Sequence, residues 1–148
     1  MTTTATPIFA QSPLYKSLSL AAVTACSTRA PTVTANLATS NILELLPTSA
    51  NGVRVDMITV VGCSSAITAA TTAGLIGVWV WDGTTAYLLT EIVISAVTPS
   101  TTVPSFTATY IPPIPLVLPS TYKLFASTTV TTTASTNALE VNVFGGNY

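Results

Sequence analysis

The sequence predicts an all-β protein: an antiparallel β-sandwich, jelly-roll or Ig-like, of about eight strands with an extended N-terminal arm. Three observations carry this. Short apolar runs alternate with polar residues at period two and are separated by Gly, Pro and Asn turns. Thr is about one residue in five, and β-branched side chains pack well on a pleated surface. No long amphipathic helical stretch interrupts the 148 residues. A chain of this length makes one ordinary domain and can bury a core without metals or disulfides.

The elements follow in order. Residues 1–30 are assigned to the arm and residues 31–148 to the sandwich. Residues 1–16 hold Pro7 and Pro13, several Thr and few periodic apolar positions, the pattern of extended chain. Residues 17–28 suit a short helix or a strand, and periodicity does not choose. Residues 32–38 alternate around Val33, Ala35 and Leu37. Residues 41–46 form a second short run, closed by Pro47 and a Ser49-Ala50-Asn51-Gly52 turn. Val53, Val55, Met57 and Val61 then share one face, opposite Arg54 and Asp56.

Residues 75–81, the turn Asp82-Gly83-Thr84-Thr85 and residues 86–95 give the clearest hairpin, because Asp-Gly between apolar runs suits a tight turn with a positive φ. Trp79 and Trp81 share one face of its first strand, while Ile76, Val78 and Val80 share the other. Both faces are apolar, so one is expected against the core and the other against a neighbouring subunit or element. Residues 97–103 connect to an alternating run at Phe106, Ala108 and Tyr110. Pro112, Pro113, Pro115 and Pro119 restrict residues 114–118 to edge strand or loop. Residues 122–128 and 138–144 are the last strands, with a Thr-rich turn over 129–137 and a flexible end at Gly145-Gly146-Asn147-Tyr148.

Two segments invite other readings. Residues 57–81 carry no charge and are long enough to span a bilayer. Their turn-like Gly62-Cys63-Ser64-Ser65 and Thr71-Thr72-Ala73-Gly74, with β-branched and aromatic flanks, favour two strands instead. Val23-Thr24-Ala25-Cys26 superficially resembles a lipoprotein signal, but the preceding apolar run is short and its one basic residue, Lys16, comes late. Cys26 and Cys63 read as small buried hydrophobes, and spacing alone does not say whether they meet.

Charged residues are 6% of the chain, the apolar set 49%, mean hydropathy +0.63 and net charge -1, with no His. A typical soluble domain is roughly 25% charged. On an expected folded surface of roughly 7,100 Å² there is about one charge per 790 Å², against about one per 190 Å² on an average domain. Such a surface is poorly defended against association, so partners are expected to cover much of it. Nucleic acid is not among them, since Lys16, Arg29, Arg54 and Lys123 are scattered singly. Disorder, coiled coil and collagen are excluded by high hydropathy, missing heptads and only 7 Gly.

Catalysis finds little support. Without His there is no Ser-His-Asp or Cys-His mechanism, and the commonest metal ligand is missing. Of the carboxylates, Asp82 belongs to its turn, and Asp56 suits an ion pair with Arg54. Glu91 could pair with Arg54 or Lys123, and nothing supports an acid/base pair of Glu44 with Glu140. No phosphate loop or G-x-S-x-G elbow occurs. The expectation is a non-enzyme without cofactor or metal. The aromatics Trp79, Trp81, Tyr87, Phe106, Tyr110 and Tyr122 offer an alternative, a sugar-stacking platform, although paired Trp more often fill a core or an interface.

The runs Ile42-Leu43-Glu44-Leu45-Leu46-Pro47 and Val53-Arg54-Val55-Asp56-Met57-Ile58-Thr59-Val60, the turn Asp82-Gly83-Thr84-Thr85, Leu116-Val117-Leu118-Pro119-Ser120 and the end Asn142-Val143-Phe144-Gly145-Gly146-Asn147-Tyr148 resemble a family of small virion proteins of tailed bacteriophages. The resemblance covers residues 42–148 and rests on packing and turn motifs. It implies a structural protein that decorates or cements the capsid exterior. Its partners would be the major capsid protein and neighbouring copies of itself, as a trimer or dimer, without nucleic acid or membrane. Alternatives are a tail, neck or fibre component of the virion, or a carbohydrate-binding β-sandwich module. Nanomolar retention needs about -12 kcal/mol, which a well-packed interface of about 1,600 Å² can supply. The candidate interface residues are Pro7, Ile8, Phe9, Leu14 and Tyr15 in the arm, and Trp79, Trp81 and Tyr87 on the hairpin. The arm, residues 1–16, is expected on a neighbouring subunit, its prolines lowering the entropy lost on ordering.

Overall fold

A computed structural model describes residues 12–28, 32–33 and 41–148. Among them there are ten strands and no helix: β1 (Ser12–Leu20), β2 (Thr32–Val33), β3 (Ile42–Leu46), β4 (Val53–Gly62), β5 (Gly74–Trp81), β6 (Ala86–Ile94), β7 (Thr107–Tyr110), β8 (Leu116–Leu118), β9 (Lys123–Thr128) and β10 (Leu139–Asn147). They form two antiparallel sheets packed as a sandwich. The first has the order β1-β10-β4-β7, with β8 also paired to β4; the second has the order β2-β6-β5-β9-β3. The core between them holds Leu14, Leu20, Val55, Ile58, Val60, Ile76, Val78, Leu124, Leu139 and Val141.

The segment 12–20, placed by the sequence in the arm, is instead a strand paired with β10 along its whole length, from Ser12↔Asn147 to Leu20↔Leu139. Leu14, Leu18 and Leu20 point inward at period two, which a helix would not allow. The remainder of the predicted arm before it, residues 1–11, lies outside the described residues, as does most of the predicted run 32–38, of which only 32–33 are described. The expected flexible end is also ordered: Gly145, Gly146 and Asn147 pair with both β1 and β4.

One expectation about β4 fails for a local reason. Val53 and Val55 are buried, but the buried set continues with Ile58 and Val60 rather than Met57 and Val61. Val55 pairs with Gly145 and Met57 with Phe144, so Asp56 is an extra residue bulged out of the ladder. A bulge moves the inward set by one residue. Gly145 is required there, since a Cβ would fall inside the envelope of the Arg54 carbonyl oxygen. The Pro-rich stretch behaves as expected: β7 and β8 are separate edge pieces along β4, divided by Pro112, Pro113 and Pro115.

Candidate interaction surface

The Asp82 turn closes the β5–β6 hairpin as expected, with Gly83 at φ 109°. The Asp82 carboxylate accepts from Thr85 N at 2.8 Å, Thr84 N at 2.9 Å and Thr84 Oγ1 at 2.9 Å. These donors, Thr85 first, hold its pKa below the usual value. Its role is to shape the turn.

On β5 the two apolar faces part as the sequence implies. Ile76, Val78 and Val80 enter the main core, while Trp79 and Trp81 join a second cluster on the outer face of the second sheet, with Cys26, Ile42, Ala86, Leu88 and Phe125. Leu89 is bulged, since Val78 pairs with Thr90 and Trp79 with Leu88. Trp79 is 1% exposed and its indole Nε1 donates to Ser127 Oγ at 3.0 Å. A Cβ on Gly77 would stand 2.7 Å from Ser127 Oγ and 3.1 Å from that nitrogen, so the missing side chain makes room for this bond.

The predicted interface residues therefore separate. Leu14 and Trp79 are buried inside the domain and offer nothing to a partner. Trp81 is half-buried beneath Lys123, whose Nζ lies 5.6 Å from the ring centroid. Tyr15 is 59% exposed on the outer face of the first sheet, with its ring 5.3 Å from that of Phe144 and its hydroxyl donating to Asn142 Oδ1 at 2.9 Å. Tyr87 is exposed near the hairpin turn. Pro7, Ile8 and Phe9 lie outside the described residues. The six aromatics considered as a sugar platform do not converge, since Phe106, Tyr110 and Tyr122 pack in or against the main core.

Four of the ionic groups form two pairs within the described residues. Arg54 binds Asp56 in a fork, Nε to Oδ1 at 2.8 Å and Nη2 to Oδ2 at 2.9 Å, which raises the Arg54 pKa. Lys123 Nζ lies 2.7 Å from Glu44 Oε2. Ser17 Oγ donates to Glu140 Oε1 at 2.8 Å. Glu44 and Glu140 belong to different sheets. Both cysteines are free thiols; Cys26 is buried as expected, whereas Cys63, also expected inside, is exposed just past the end of β4, and partial desolvation, then the Glu140 charge, pushes its pKa up. Among the described residues no three His, Cys, Asp or Glu side chains gather as a metal site, and no helix is long and apolar enough to cross a membrane.

What the sequence reading missed is how the Thr-rich loops are built. At the end of the sandwich where β4 finishes and β5 starts, four segments are tied together: residues 21–28, 63–73, 95–106 and 129–138. Cys63 N donates to Ala138 O, Ser65 N to Ala134 O and Thr71 N to Val97 O, each at 2.9 Å. Thr132 N donates to Val23 O at 3.0 Å, and Thr72 N to Asn137 Oδ1 at 2.8 Å. The anchors Thr71, Thr132 and Asn137 are buried, with Asn137 at φ 57°. No periodicity signals such anchors, because each acts across loops far apart in sequence. Two exposed apolar side chains, Ile67 and Val103, stand on this end; Ile111, Ile114 and Val117 stand on the β7–β8 edge.

The chain matches no protein-family model, no curated protein and no solved structure.

Proposed function

We propose that the chain is a structural protein of a tailed-bacteriophage virion, a decoration or cement protein that binds the capsid exterior and stabilises it through protein–protein contacts. The observation that carries this reading is the charge-poor surface. The folded chain presents 7860 Å² with nine formally charged side chains. Arg54, Asp56, Lys123 and Glu44 are already matched with one another. Large apolar side chains stand exposed at several separate places, among them Ile67, Val93, Ile111, Ile114 and Val117. A domain of this kind gains most from burying several faces at once, as a component of a shell does. The ionic and polar groups make structural contacts, which suits a part that needs no turnover.

Co-sedimentation of the purified chain with empty shells tests the reading. Stoichiometric binding is expected, and a chain that stays in the supernatant would overturn it. Deleting residues 2–11, which stops short of β1, is expected to lower shell occupancy. Unchanged occupancy would remove the arm from the contact.

A further inference from the structure

Each sheet ends on strands that have a ladder partner on one side only among the described residues, and such an edge is a template for pairing with another chain. The end strands differ in length. β3 has five residues, β7 four, β8 three and β2 two, whereas β1 has nine. Several of the short ones are interrupted. Leu45 is bulged out of the β3 ladder and Pro47 follows that strand, while Pro112, Pro113 and Pro115 divide β7 from β8. β1 runs unbroken against β10 through nine register pairs, with Pro13 near its start. Its one ionic residue, Lys16, is the fifth of the nine. Lys16 pairs with Val143 and has the same parity as Leu14, Leu18 and Leu20, so it falls on the core-facing side of β1. It is nevertheless exposed, because at the rim of a sheet the aliphatic stem carries the ammonium past the leucines to water. Among the described residues Lys16 makes no salt bridge.

We propose that Lys16 guards the β1 edge: its ammonium keeps a second copy of the chain from adding its own β1 to the end of the first sheet. The device goes beyond the virion role proposed above and holds whether or not the chain binds a shell. Two costs build the barrier. Antiparallel pairing of two β1 strands about a two-fold axis, in the registers that join most of the strand, sets each Lys16 opposite its counterpart or one diagonal step away. Opposed side chains stand about 4.5–5.5 Å apart and diagonal ones about 7–8 Å. Both distances lie within the Debye length of about 8 Å at physiological salt, so the repulsion is not screened out. The second cost is desolvation. The leucines of both copies would close around the two ammonium groups, and β1 holds no carboxylate to meet them. A neutral side chain at residue 16 meets neither cost and leaves an alternating apolar row on a long, open edge. One of only four basic residues thus stands at the midpoint of the longest end strand, where a single charge obstructs most registers at once.

Sedimentation velocity of the full chain over a concentration series, with hydrogen exchange of residues 12–20, tests this. Lys16→Val is expected to raise the self-association constant at least about tenfold over wild type. Amide exchange in β1 should slow as that association proceeds. Net charge works against this outcome, since losing one positive charge takes the chain from -1 to -2, which by itself favours separation. Lys16→Thr, polar but neutral, is expected to move in the same direction. Lys16→Glu keeps a charge at the midpoint and should stay at the wild-type level. Ser19→Val, at an exposed position on the other face of β1, adds the same side chain without removing the ammonium and should also stay there. Circular dichroism of each variant confirms that the sheets are retained. If Lys16→Val and Lys16→Thr associate no more than wild type, the inference is overturned. So it is by a wild type whose own association slows exchange in β1, or by Ser19→Val associating as strongly as Lys16→Val. Shell co-sedimentation of the wild type reads the virion role separately, and failure of either proposal leaves the other standing.

Discussion

Across the outer face of the first sheet, Ser17, Asn142, Thr59 and Thr109 lie in one cross-strand row over β1, β10, β4 and β7. Across the outer face of the second, the corresponding row is Leu88, Trp79 and Phe125 over β6, β5 and β9. The first row is polar: Ser17 and Thr109 are exposed, Thr59 is half-buried, and Asn142 is buried under Tyr15, whose hydroxyl donates to it. The second is packed with Cys26, Ile42 and Ala86, and Cys26 N donates to Thr128 O at 2.7 Å. A strand apolar on both faces thus acquires a second core from its own chain, and a strand with Thr on one face does without. Thr provides an uncharged, β-compatible outer face, so wettability is separated from charge.

The largest test of that difference is Trp79→Ala. It removes the centre of the outer cluster and should cost about 3–5 kcal/mol in chemical denaturation. A loss below about 1 kcal/mol would mean that the cluster is not a core. Gly145→Ala should cost about 2–3 kcal/mol, because its Cβ meets backbone that cannot step aside. It would show that the first sheet is sensitive at its bulge rather than on its outer face. Ser127→Ala leaves the buried Trp79 N–H unpaired and should cost about 1–2 kcal/mol, with a change in Trp79 fluorescence. Thr59→Ala on the open face should fall within about 0.5 kcal/mol of wild type; a loss comparable to that of Ser127→Ala would erase the contrast.

The smallest effect is at Asp82. Its folded pKa lies below the ordinary value of 3.8. Its contribution is therefore full above that value and is lost as pH falls through the lowered folded value. Asp82→Asn should flatten the acid limb of a melting-temperature profile slightly and leave neutral pH nearly unchanged. An equal acid limb in both proteins would mean that the turn carboxylate is not coupled to folding.

Much of the architecture was legible. The hairpin around Asp82-Gly83 and the two-faced β5 follow from turn chemistry and period-two alternation, and the Arg54–Asp56 pair from the expected proximity of opposite charges. The face of β4 beyond Val55 was not, because a bulge at Asp56 depends on Gly145 of a partner strand far along the chain. The fate of residues 12–20 was hidden for a similar reason. Ser-Pro-Leu-Tyr-Lys-Ser-Leu-Ser-Leu is a weak strand by composition and becomes one by pairing with β10. Leu14 and Trp79 were read as partner-facing because large apolar residues look alike whether a neighbour or the chain itself covers them.

By itself the sequence determined the β class, the turn positions and the scarcity of charge, since these depend on each residue's own chemistry or that of near neighbours. Tertiary structure alone decided the strand order, the bulged register and the covering of Trp79. It also decided the joining of four charge-free loops at one end. Each of these needs backbone groups or side chains distant along the chain to meet, and no local pattern records which distant groups those are.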